Sequence, residues 1–292
     1  MNTTLEPGRP SALSQLVRRI VAPNPGLMTG PGTNTYLVGV DEVAVIDPGP
    51  DDKSHVEAIV AAATRERVRW ILLTHTHPDH WPAARRLKKV TGAPIAAFGR
   101  QPKADAFDLP LDRVLRDGDV VEGTEFGLEA MHTPGHAPNH LCFFLEEERS
   151  LFTGDHVLDG TTTVVNPKRG GDMVAYLASI ERMRRVKRLS RLLPAHGDVI
   201  TEPVAKLDEY LRHRLLRERQ ILAALRSGPL RIPAIVDALY TDTPQGRPGG
   251  LPEGLVEMAR RQVHAHLVKL MAEGKVAGAG YARPWELRVE RT

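Results

Sequence analysis

The residues best suited to chemistry are concentrated at Thr74-His75-Thr76-His77-Pro78-Asp79-His80. Three histidines and one aspartate fall within six residues there, directly after the apolar run Trp70 to Thr74. A strand ending in such a loop would hold it rigidly. Alternate residues His75 and His77 would then point the same way, with Asp79 and His80 turned toward a neighbouring pocket. Neutral imidazole and carboxylate are the ordinary ligands of zinc and similar ions. Further candidates follow in order, each at a strand end and beside a glycine: Gly135-His136, Gly154-Asp155-His156 and His196-Gly197. Glycine lets backbone pass close to a crowded site. Taken singly, a histidine in a turn is more often structural; behind the histidine-rich loop these reinforce one another. All the donors are nitrogen or oxygen, so zinc is the first choice, with iron or manganese as alternatives.

The elements that must position these residues are read from periodicity. Thr35 to Val40 and Val43 to Asp47 form a hairpin across Asp41-Glu42, stopped by Pro48-Gly49-Pro50. Asp52 to Arg67 has helical spacing through Val56, Ile59, Val60 and Ala63. Trp70 to Thr74 is a strand, Pro82 to Val90 a helix, and Pro94 to Phe98 another strand. Gly99 to Leu115 is loop-like. Val120-Val121 pairs with Phe126 to His132, and Leu141 to Leu145 with Leu151 to Thr153 around the turn Glu146 to Arg149. Asp172 caps a helix from Met173 to Arg185, and Leu189 to Pro194 is a last short strand. This order suggests sheet layers covered by helices. After His196 the texture changes: Glu202 to Leu225, Ile232 to Leu239 and Leu255 to Ala272 read as helices, then a short hairpin from Gly274 to Leu287. Helix, helix, helix, wing is the order of a winged-helix unit. The division falls between residues 1–210 and 211–292, and Asp242 to Pro252 is a Pro/Gly-rich loop inside the second unit.

The chain has 292 residues, 41% hydrophobic and 26% charged, with net charge +3. That balance fits a soluble globular protein and does not demand a nucleic-acid partner. No apolar stretch is long enough to span a membrane. Met1 to Pro10 lacks an apolar signal core, and Ser11 to Val21, with Arg18 and Arg19, matches an organelle presequence only weakly; a cytoplasmic location is expected. The single cysteine, Cys142, reads as a buried small hydrophobe. Basic residues gather at Arg182, Arg184, Arg185, Lys187, Arg188 and Arg191, and again at Arg212, Arg214, Arg217 and Arg219. Solvated helix faces explain such runs more often than phosphate-binding faces do.

His75-x-His77-x-Asp79-His80, then His136, Asp155 and His196, resembles the full ligand series of the metallo-β-lactamase superfamily. The resemblance implies an α+β fold: an αβ/βα sandwich of two mixed sheets flanked by helices, with the site at one edge. It implies a dinuclear centre. His75, His77 and His136 would hold one zinc ion, Asp79, His80 and His196 the other, and Asp155 would bridge them. A hydroxide activated by both cations would be the nucleophile, with Asp79 as the catalytic carboxylate that orients it. Asp47, in Asp47-Pro48-Gly49, resembles the family's buried supporting aspartate. Thr74 and His140 are further supporting candidates, and His156 lies near a ligand motif. His55, His132, His213, His264 and His266 are expected to be surface or packing residues.

Glu218-Arg219-Gln220-Ile221-Leu222, Tyr240-Thr241-Asp242-Thr243-Pro244, His266-Leu267-Val268-Lys269-Leu270 and Glu273-Gly274-Lys275-Val276 resemble the winged-helix tail of the β-lactamase-like protein 2 family. Gly32-Thr33-Asn34-Thr35-Tyr36-Leu37-Val38 is similar too, so the resemblance spans nearly the whole chain. Asn139 stands where that family often carries an acid, and Gln245 to Pro252 lengthens the tail loop. The family includes a single-strand-specific endoribonuclease and thioesterases of polyketide carriers. Hydrolysis of a small ester, thioester or lactone is therefore the first expectation, and cleavage of single-stranded RNA the second. A nucleic-acid-binding or scaffold protein with a secondary metal site is the alternative of another class. The tail is expected to pack on the hydrolase unit or to make a homodimer contact rather than to read DNA.

Overall fold

A computed structural model describes residues 5–99, 108–240 and 251–288. Most of the Asp242 to Pro252 loop, the 241–244 part of the tail motif and most of the insert lie outside them. A seven-stranded sheet runs in chain order through β1 (Ser11–Ala12), β2 (Val17–Val21), β3 (Asn34–Val38), β4 (Glu42–Ile46), β5 (Arg67–Leu72), β6 (Ile95–Ala97) and β7 (Arg113–Val114). A second sheet has the order β12 (Arg191–Pro194), β11 (Ser150–Gly154), β10 (Leu141–Leu145), β9 (Gly127–His132) and β8 (Val120–Glu122). Both are mixed: β4 to β7 are parallel neighbours, as are β11 and β12, and the rest are antiparallel.

Side-chain alternation makes the layers. On β4, Val43 and Val45 point outward to α1 (Lys53–Ala62) and α2 (Ala83–Thr91), while Ala44 and Ile46 point inward to the other sheet. On β10, Leu141, Phe143 and Leu145 face inward against the same core, and Cys142 and Phe144 face outward toward α3 (Met173–Arg184). The result is the expected αβ/βα sandwich. Cys142 is buried, its thiol against Thr133 Oγ1 and pushed up to about 12 by burial.

α4 (Pro203–Ala224) is one continuous helix. Leu207 and Tyr210, in its first half, join the core beneath the second sheet; Ile221, near its end, joins a separate core with α5 (Ile232–Tyr240), α6 (Glu253–Ala272) and the hairpin β13 (Val276–Gly278) and β14 (Trp285–Leu287). Three helices followed by a two-stranded wing match the expected order.

Two local expectations are corrected. The helix beginning after Asp52 ends at Ala62 instead of Arg67, because Arg67 opens β5 in parallel register with Glu42. Within Ser11 to Val21, β2 is a buried strand paired with β3, and its Arg19 is buried against Asp198 at 2.8 Å. The stretch to Leu115 contains β7, a short edge strand. No helix among the described residues is long and apolar enough to cross a membrane.

Candidate metal centre

β4 and β5 lie side by side, and their C-terminal ends carry the first layer of the site. Asp47 follows β4 with φ +50, a left-handed conformation that aspartate tolerates better than most residues. Its Oδ1 accepts the Thr74 backbone N–H at 2.8 Å. Its Oδ2 accepts the Thr74 hydroxyl at 2.7 Å and faces His80 Nδ1 at 2.9 Å. The Thr74 hydroxyl oxygen in turn lies 3.0 Å from His75 Nδ1. One buried carboxylate therefore orients two imidazoles, one directly and one through a hydroxyl.

His136 and His196 are oriented by backbone carbonyls. His136 Nδ1 lies 2.7 Å from the Val164 carbonyl, and His196 Nδ1 lies 3.2 Å from that of Gly32. A carbonyl only accepts, so each Nδ1 carries a proton and each Nε2 is the atom left to face the centre. The loop before His196 is tied by Asn34 on β3, whose amide donates to the Pro194 and Gly197 carbonyls.

The ligand atoms converge in two groups. His75, His77, His136 and Asp155 form one, and Asp79, His80, Asp155 and His196 the other, with the donor atoms of each group within 4.8 Å of one another. In the first, His77 Nδ1 lies 2.8 Å from both His75 Nε2 and His136 Nε2. One N–H cannot serve two acceptors that already carry protons on their far nitrogens. In the second, His80 Nε2 and Asp155 Oδ1 are buried without a hydrogen bond. A cation satisfies both arrangements, and the nitrogen and carboxylate donors suit one.

Asp155 faces both groups. Its Oδ2 lies 3.5 Å from His136 Nε2 and 3.9 Å from His75 Nε2, and its Oδ1 lies 3.2 Å from His196 Nε2 and 3.5 Å from His80 Nε2. Asp79 Oδ2 lies 3.2 Å from His196 Nε2 and 3.5 Å from His80 Nε2. Burial, then neighbouring imidazoles, hold His75 well below its usual range, and His77 is lowered to about 3 by the same causes. Burial works against protonation of His196, but the Asp155 and Asp79 carboxylates outweigh it and lift the imidazole to about 9. Burial likewise opposes ionisation of Asp79, yet the His80 and His196 imidazoles bring it down to about 2.

A cavity of about 260 Å³ opens on this cluster. His77, Asp79, His136, Asp155 and His196 line it, together with Leu27, Met28 and Leu158 and, from α6, Met258 and Arg261.

The family model described as the metallo-beta-lactamase superfamily matches residues 28–196. The chain belongs to that superfamily. A second model, the beta-lactamase associated winged helix domain, matches residues 249–285. A beta-lactamase-like protein 2 homolog of Drosophila melanogaster is 33% identical over 90% of this chain and 90% of its own. An atrochrysone carboxyl ACP thioesterase of Aspergillus chevalieri is 36% identical over 89% of this chain and 82% of its own. A beta-lactamase domain protein from Burkholderia ambifaria has the same fold, with TM-score 0.81 and 20% identity, covering 98% of this chain and 96% of that one.

All seven ligand candidates of this metallo-β-lactamase-fold hydrolase meet in one place, and Asp47 and Thr74 touch them as described. His140 sits behind them: its Nδ1 lies 2.9 Å from Thr133 Oγ1, and its Nε2 accepts the Asp155 N–H at 3.2 Å. His156 is buried away from the donor groups, with Nε2 3.3 Å from the Tyr176 carbonyl. Asn139 donates to Thr76 Oγ1 and to the Gly99 carbonyl, tying the histidine loop to its neighbour. A carboxylate there could not donate to that carbonyl, which gives the departure a physical meaning. Several basic residues are committed: Arg182 to Asp117, Arg184 to Asp208, Arg191 to Glu148, and buried Arg214 to the Thr163 carbonyl.

The carbonyls of Gly32 and Val164 were invisible in sequence, because any residue supplies one. Met258 and Arg261 gave no signal either, since their role depends on how the tail docks.

Proposed function

We propose that this chain hydrolyses a small ester, thioester or lactone at a centre holding two cations. The observation that carries the reading is the Asp155 carboxylate, with one oxygen toward each donor group. His75, His77 and His136 would hold one cation and Asp79, His80 and His196 the other, with Asp155 shared. Zinc suits the nitrogen and oxygen donors, with iron and manganese as alternatives. Bound there, the cations supply Lewis acidity, lowering the pKa of water and stabilising negative charge on the substrate oxygen.

The chain's own residues do the rest. Asp79 lines the cavity as an ionised carboxylate, so it can accept a hydrogen bond from an attacking water and orient it. Asp47, Thr74 and the Gly32 and Val164 carbonyls keep the imidazoles aimed. Leu27, Met28 and Leu158 offer an apolar wall to an acyl group. The resemblance to a thioesterase supports thioesters first. Cleavage of single-stranded RNA is less well supported, because Arg191 and Arg214 are turned inward onto Glu148 and the Thr163 carbonyl and are withdrawn from the basic runs. The proposed division at residue 210 rests on the two halves of α4 joining different cores.

The test is thiol release from an acyl thioester by metal-loaded protein, with elemental analysis and the Asp79→Asn variant alongside. We expect about two metal ions per chain. The metal-free variant should keep the metal-free parent's thermal unfolding profile, and the loaded variant should lose activity by about 10²–10⁴-fold. One ion or fewer after careful reloading removes the dinuclear mechanism, and near-normal turnover by the variant removes the role of Asp79. Cleavage of labelled single-stranded RNA with no thioester turnover would transfer the reading to a nuclease.

A further inference from the structure

The third helix of a winged-helix unit is the one that would enter a nucleic-acid groove, and here it is occupied otherwise. Ala259, Val263, Leu267 and Leu270 of α6 recur at helical spacing and pack into the core of the tail. Met258, Arg261, Gln262 and Ala265 are spaced i, i+3, i+4, i+7 and form a second face. That face lies on the hydrolase unit. Ala265 joins the core under the second sheet. Gln262 donates to the Thr163 carbonyl and accepts the Val165 N–H at 3.3 Å. Met258 and Arg261 reach the cavity that opens on the metal centre.

The 3-10 turn Pro167–Arg169 lies against α6, with Arg169 lining the same cavity and the Lys168 ammonium 3.8 Å from the Tyr281 ring centroid. Arg261 lines that cavity from α6. Glu257 lies 3.3 Å from Arg261 Nε and 3.9 Å from Arg260. Arg261 and Glu257 are 38% and 47% exposed, so their pairing is weak and leaves the guanidinium able to take a second anion. Guanidinium matches phosphate in geometry as well as charge.

We propose that Arg261 and Arg169 form a subsite for a phosphate carried on the thiol arm of the substrate, with Met258 as the apolar floor beside it. The winged-helix unit is then a substrate wall that determines specificity. The choice of a thiol arm rests on the thioester reading above; the phosphate subsite does not.

Two thioesters of the same acyl chain separate the two ideas, one of 4′-phosphopantetheine and one of pantetheine. The parent should prefer the phosphorylated thioester by about tenfold or more in kcat/KM, mostly through KM. Arg261→Ala should bring that ratio close to one, and Arg261→Lys should keep part of it. Calorimetric titration of the full-length protein with the two free thiols reads the same preference without turnover. Equal affinities for the two thiols, or a preference that Arg261→Ala does not change, overturns the subsite. If neither thioester is hydrolysed while the thiol preference persists and depends on Arg261, the thioester reading falls and the subsite stands.

Discussion

Replacing Asp47 by asparagine is the most informative perturbation of the metal centre, because it exchanges one carboxylate oxygen for an NH2 group and suits the same backbone conformation. Asparagine tolerates the left-handed φ of +50 as aspartate does. What it cannot do is accept at both ends. Asp47 Oδ1 takes the Thr74 N–H, and Oδ2 takes the Thr74 hydroxyl and His80 Nδ1. If the amide oxygen replaces Oδ2, the NH2 group meets the Thr74 N–H, and one unsatisfied buried donor costs about 1–3 kcal/mol. If the oxygen replaces Oδ1, the NH2 group meets His80 Nδ1, which must become an acceptor. The His80 proton then moves to Nε2, the atom facing Asp79 and Asp155. Either outcome weakens the donor group of His80, Asp79 and His196. Loss of such a supporting partner typically lowers metal affinity about 10–100-fold, or about 1.4–2.7 kcal/mol. Equilibrium dialysis against buffered free zinc, read by elemental analysis, should show one occupancy step moved by that factor. The step assigned to His75, His77 and His136 should move less. Both steps at the parent's free zinc concentration would refute the tautomer argument.

Two further outcomes are expected. Gly154 has φ +49, and a Cβ there would lie 2.6 Å from His140 Nε2 and 2.8 Å from Thr74 Oγ1. Gly154→Ala should therefore destabilise the fold by about 2–5 kcal/mol, from overpacking and left-handed strain together, measured by urea unfolding; a loss under 1 kcal/mol would contradict it. Gln262→Ala should leave the Thr163 carbonyl and the Val165 N–H short of a partner, so amide hydrogen exchange at Val165 should accelerate by about tenfold. Unchanged exchange would mean that α6 does not hold that loop.

The sequence was most legible where short apolar runs or caps were strong. Val43 to Ile46 and Leu141 to Leu145 alternate between two cores, and Asp172 accepts from Val174 N and Ala175 N as a cap should. The ligand series was legible because side-chain type and order carry it. β2 was not, since Arg18 and Arg19 interrupt its apolar pattern; only the fold reveals that Arg18 binds Glu66 and Arg19 meets Asp198. The end of α1 was misplaced for a related reason. The charged stretch after Ala63 suits a helix locally, and its parallel pairing with β4 prevails. The Gly32 and Val164 carbonyls show the deeper limit. A backbone acceptor has no sequence signature, although it sets the tautomer of an imidazole as a carboxylate does.

The loop around Thr163 joins the tail to the metal centre. Arg214, buried in α4, and Gln262, on α6, both donate to the Thr163 carbonyl. Thr163 donates its hydroxyl to the Asp155 and His156 carbonyls, and the next residue, Val164, accepts from His136 Nδ1. Two helices of the C-terminal region thus grip the segment that aims one imidazole and braces the carboxylate facing both donor groups. A helix used this way is not free to enter a nucleic-acid groove, which would require Gln262 and Ala265 to leave their partners and uncover apolar surface. The same docking puts Met258 and Arg261 in the cavity. On the proposed reading this unit selects substrates at the site, and changes at Met258 or Arg261 should alter which substrates are accepted before they alter the fold.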